Sequence, residues 1–138
     1  MGKNLFIIFT VIAVALGTLF FNQPAVNAEE CQIITIHDGE NSVTIRPEAV
    51  TISKGTCVIW VNWSTKTDVN IMFEQGKVCK DVVEASMNFK LDKENCFISN
   101  VIITKGGTAS LVYEKDGSFD YAAKPKEGEK ATGKIIVQ

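Results

Sequence analysis

The chain has 138 residues, 14 of them basic and 16 acidic, for a formal net charge of −2 with one histidine and four cysteines. Scattered lysines in a mildly acidic background supply no basic stripe for nucleic acid and no polybasic cluster for anionic lipid. Sustained apolar periodicity of 3.6 residues is absent beyond the N-terminus, which argues against a helical fold.

The first segment reads as an export signal. Lys3 precedes an uncharged run of 17 residues from Leu5 to Phe21, followed by the small-residue pattern Val26-Asn27-Ala28 and the acids Glu29-Glu30. Cleavage after Ala28 is expected, with an uncleaved membrane anchor as the alternative. A lipoprotein is excluded, because Glu30 stands before Cys31 where a small residue is needed. Residues 1–28 are therefore read as a signal peptide and residues 29–138 as one domain, periplasmic or secreted. Without the signal, 13 basic residues face 16 acids, a net charge of −3.

Short segments of period two follow in order. Cys31 to His37 sets Ile34 and Ile36 against Ile33, and a turn is expected at Asp38-Gly39. Ser42 to Arg46 alternates, breaks at Pro47, and resumes with Val50 and Ile52 before Lys54-Gly55, the mark of an edge strand or one changing sheets. Thr56 to Trp63 is apolar at alternate positions of both parities, as in a central strand covered on each face. Val69 to Phe73 is another short strand. Lys77 to Asn95 is irregular, with one helical turn expected around Val82 to Met87. Val101 to Thr104, a Gly106-Gly107 turn, Thr108 to Glu114, an Asp116-Gly117 turn, Phe119 to Ala122, and Gly133 to Gln138 complete the pattern. Many short strands between turn signals predict an all-β sandwich or barrel.

All four cysteines, Cys31, Cys57, Cys79 and Cys96, lie in the exported part, and their even number predicts two disulfides out of three possible pairings. Cys79 and Cys96 bracket the irregular excursion and are expected to staple it. Closing such a loop contributes about 3 kcal/mol in the chain-entropy model. No CxxC occurs, which weakens zinc and thioredoxin-like readings.

Specific residues also resemble a known family. Ile45 to Asn62, with Pro47, Lys54-Gly55-Thr56 and Val61-Asn62, looks like the opening half of a cupredoxin of the plastocyanin and azurin type. Gly117 to Tyr121, Pro125 and Gly133 to Val137 look like its close. The resemblance implies a Greek-key β-sandwich of seven or eight strands that usually holds one copper ion for electron transfer. It also implies that the first and third strands run parallel, so that Cys31 meets Cys57. The family's copper is held by two imidazoles, a thiolate and a weak axial sulfur. The corresponding positions here are Val69, Ala122, Lys126 and Ala131, none of them a family ligand. No cysteine, histidine or methionine occurs from Phe97 to Gln138 that a shifted alignment would recruit.

Other constellations reduce to ordinary structure. His37 beside Asp38 and Glu40 is a turn cluster, Met72 is expected in the core, and no serine carries a nucleophile motif. Asn62-Trp63-Ser64 matches a glycosylation triplet, but at the end of a central strand a glycan would be awkward. Trp63 either caps the core or, with Lys66, Lys124 and Lys126, forms a partner-binding surface. The expectation is a non-enzymatic, cofactor-free binding or structural module whose partner is another extracytoplasmic protein. The alternative is copper binding or electron transfer through an unconventional site.

Overall fold

The computed structural model describes residues 30–73, 78–79, 81–91, 93–98 and 102–138. The expected signal peptide, residues 1–28, lies outside the described residues. The strands are β1 (Gln32–Asp38), β2 (Val43–Arg46), β3 (Ala49–Ile52), β4 (Cys57–Asn62), β5 (Val69–Phe73), β6 (Val83–Met87), β7 (Lys90–Leu91), β8 (Phe97–Ile98), β9 (Ile102–Ile103), β10 (Thr108–Tyr113), β11 (Gly117–Pro125) and β12 (Ala131–Val137). One sheet runs β2-β1-β4-β10-β6 and the other β3-β12-β11-β5-β9, with β7 and β8 pairing separately.

Pro47 does what its position predicts. Without an N–H it cannot continue a ladder, so β2 ends as an edge of the first sheet against β1, and β3 begins as an edge of the second, parallel to β12. The parallel pairing of β1 with β4 sets Gln32 opposite Val58. One residue earlier on each strand, Cys31 and Cys57 form a disulfide across a Cα separation of 4.6 Å. Cys79 joins Cys96, 17 residues on, and no described cysteine is free.

Alternation makes the core. Ile34 and Ile36 on β1, Val58 and Trp60 on β4, and Leu111 and Tyr113 on β10 face Val69 and Ile71 on β5, Tyr121 and Ala123 on β11, and Ile135 on β12. Trp60 is fully buried, with its ring edge-on to Tyr121, Phe89 and Phe73 at centroid separations of 5.5, 5.7 and 6.3 Å. Removing a buried aromatic of this size costs about 3–5 kcal/mol, so this cluster is the main tie between the sheets. Gly133 leaves room for it, since a Cβ there would sit 2.4 Å from the Tyr121 ring.

Four expectations change. Val82 to Met87 forms no helical turn, because β10 offers an open edge and β6 pairs along it with Leu111 opposite Ser86 and Tyr113 opposite Val83. Six residues carry too few internal hydrogen bonds to compete with such a ladder. β11 extends to Pro125, beyond the expected end at Ala122, because β5 and β12 flank it on both sides. Met72 is half-buried on the face of β5 opposite Ile71, outside the core cluster. The outward side of β4 has no second layer among the described residues: Cys57, Ile59 and Val61 stay half-buried while Val58, Trp60 and Asn62 are buried.

Candidate functional site

One end of the sandwich gathers the loops 39–42, 63–68, 104–107 and 126–130. Asn62, the last residue of β4, anchors them. Its side chain is fully buried, its Nδ2 donates to the carbonyls of Ile103 at 2.9 Å and Thr67 at 3.0 Å, and its Oδ1 accepts from the Ser64 amide at 3.0 Å. A glycan has no access to such an amide, which removes the glycosylation reading.

Ser64 and Asp38 form the second tie. The Ser64 hydroxyl donates to the Asp38 carboxylate at 2.5 Å and accepts from the Lys66 and Thr67 amides at 3.2 and 3.1 Å. Asp38 also accepts from the Thr65 amide at 3.1 Å and the Thr65 hydroxyl at 2.7 Å. These hydroxyl donors, Ser64 first and then Thr65, hold the Asp38 carboxyl far below the usual carboxylate range. The acid therefore serves as an anionic staple between β1 and the 63–68 loop.

The 126–130 loop is tied down in turn. The Lys126 amide donates to the Thr67 hydroxyl at 3.3 Å, and the Ser42 hydroxyl donates to the Glu129 carbonyl. Gly128 has φ +100°, and a Cβ on it would lie 2.7 Å from the Asn41 carbonyl oxygen. Only glycine meets both conditions without strain. Between the loops lies a cavity of about 340 Å³ lined by both charge signs, with Asp38, Glu40 and Glu127 opposite Lys66 and Lys126. Sequence reasoning missed it, since it arises only where three separated loops converge.

Trp63 does not cap the core. It is 58% exposed and meets His37 edge-on at a centroid separation of 5.4 Å. His37 in turn hydrogen-bonds the Thr35 hydroxyl through Nε2 at 2.9 Å. Lys66, Lys124 and Lys126 are exposed.

The positions read as the family's ligand sites fall as follows. Val69 opens β5, 1% exposed and in register with Pro125. Ala131 is half-buried against the core and opposite Ala123. Ala122 is buried but opposite Met72 and outside the core cluster, whereas Tyr121 and Ala123 belong to that cluster. Successive residues of a strand alternate faces, so Ala123, like Tyr121, lies between the sheets and Ala122 on the other side. The chemistry is unchanged: valine and alanine methyl groups have no lone pair, and the Lys126 ammonium must lose its proton before it binds a cation. The residues present at these positions do not fit copper. Elsewhere among the described residues, no three histidine, cysteine, aspartate or glutamate side chains converge as a metal site.

Two five-stranded sheets with parallel β1/β4 and β3/β12 pairings define a cupredoxin-like sandwich. The model of copper binding proteins of the plastocyanin/azurin family matches residues 31–138, and the chain belongs to that family. Among solved structures it is similar to a reduced Cu(I) form of a mutant amicyanin, with 17% identity and TM-score 0.50, covering 83% of this chain and 88% of that one. A second amicyanin mutant in the Cu(I) state gives 18% identity and TM-score 0.50 over 77% and 82% of the two chains. Amicyanin from Paracoccus versutus (Thiobacillus versutus) is 21% identical, with TM-score 0.49 over 85% and 86%. At such identities the first two show a shared fold. No curated protein matches the chain significantly in sequence.

Proposed function

We propose that this chain is an exported, non-catalytic member of the plastocyanin/azurin family that has lost the blue-copper site and uses its loop end to bind another extracytoplasmic protein. The observation that carries the reading is the closure of that end. β11 stays in register with β5 as far as Pro125 opposite Val69, and Val69, Ala123 and Ala131 pack where a metal would need donors. Two disulfides with no free thiol among the described cysteines fit an oxidising compartment and support a periplasmic or secreted location.

The binding surface we assign comprises exposed Trp63 and Lys124 together with Lys66 and Lys126, of which the last two line the mixed-charge cavity. An aromatic that is already exposed and held edge-on by His37 loses little side-chain freedom on binding. Metal analysis, a visible spectrum after copper loading and a free-thiol titration of the purified protein test this together. The expected result is no stoichiometric metal, no charge-transfer band and no free thiol. One tightly held copper per chain would overturn it in favour of an unconventional copper site.

A further inference from the structure

The outward face of the first sheet is unusual for an antiparallel sandwich, whose solvent face normally alternates to polar. The register sets Ile33, Ile59, Ser110 and Met87 in one row across β1, β4, β10 and β6. The next row is Thr35, Val61 and Thr108, and on the other side Val112 lies opposite Cys57. Ile33 is 53% and Met87 58% exposed. From β1 to β10 no outward position within the strands is a lysine, an arginine or a carboxylate, and His37 is the titratable side chain there; Arg46 stands at the β2 edge. The outward face of the other sheet carries Lys124, Asp120 and Lys134, the last two ion-paired at 3.3 Å.

We infer that this face is the contact surface for a second copy of the chain, packed sheet against sheet about a two-fold axis. Two arguments select that occupant. The first is area. Its strands, of 4, 7, 6, 6 and 5 residues from β2 to β6, at about 3.3 Å per residue and about 4.8 Å apart, make a flat footprint of roughly 450 Å². Side-chain relief raises the accessible area toward the ~800 Å² per partner of a standard interface, with the charge-free strands β1, β4 and β10 at its centre and Arg46 of β2 at its rim. The second is charge. Two copies of an acidic chain repel through most of their surfaces, but between β1 and β10 this face lets them approach without burying a carboxylate or an ammonium. A two-fold contact sets each patch on its own equivalent, so an apolar face is complementary to itself. The sheets would stack about 10 Å apart and within about 30° of aligned.

Sedimentation velocity on the protein purified with its disulfides intact, over a concentration series, tests this. The native chain should sediment as a dimer, and Ile33→Asp and Met87→Asp should each weaken it about 100-fold or more, because each buries a carboxylate at the contact. Thr51→Asp, exposed on β3 of the opposite sheet, should leave it unchanged. Both outward substitutions sit at exposed positions, and unfolding curves would show that the fold persists. A native chain that stays monomeric at about 100 μM, or a dimer that neither substitution weakens, overturns the inference. So does a monomer whose Ile33 face instead engages a different protein.

Discussion

The loop end and the outward face of the first sheet solve opposite problems. At the loop end the inner polar groups have partners within the chain: Asn62 makes three side-chain hydrogen bonds, Asp38 accepts three, and the Thr67 hydroxyl holds the Lys126 amide. The outward face offers little to hydrogen-bond and much to bury, with Ile33 and Met87 more than half exposed. The first region satisfies its inner polar groups within the chain, whereas the second leaves apolar side chains exposed.

The sharpest way to break the contrast is to remove the anchor of the loop end. Asn62→Ala leaves the Ile103 carbonyl without its buried donor and the Ser64 amide without its acceptor, so we expect a loss of about 2–4 kcal/mol in urea unfolding. An unchanged midpoint would mean that the loops do not depend on this amide. Gly128→Ala tests the same end from the outer loop. Positive φ and the close Asn41 carbonyl together should cost about 1–3 kcal/mol, read as a lower thermal midpoint with no change in the proposed dimer equilibrium. If the dimer weakened as well, the two regions would be coupled and the contrast too simple.

The smallest effect concerns Asp38. Its folded pKa is depressed, so its contribution to stability is fully present above the unfolded value near 4 and fades as the pH falls below it. Native protein and Asp38→Asn should therefore differ in unfolding midpoint at pH 7 and converge towards pH 2. A difference that stayed constant across that range would assign the effect to shape rather than charge.

Much of the fold was legible because its signals are local. Pro47 marked the sheet change, Gly106 with φ +77° made the expected turn, and Ile34, Ile36, Val58 and Trp60 declared the inward faces by alternation alone. The candidate site was legible in part: Val69 and Ala131 lie on the core side, and the alternation that turns Tyr121 inward also turns Ala123, and not Ala122, to that side. The role of Asp38 was missed, since its partners lie 26 and 27 residues away.

The strand break at Pro47, the even cysteine count and the lack of a lone pair on Val69 and Ala131 follow from residue identity, because a proline cannot extend a ladder and a methyl group cannot bind copper. The tertiary structure decided what identity leaves open. Residues 83–87 became a strand because β10 had an edge to fill. Trp63 stayed exposed beside His37, and the apolar outward side of β4 met no second layer among the described residues. Each of these outcomes depends on which surfaces the folded chain brings together, and such long-range contacts leave no local trace in the sequence.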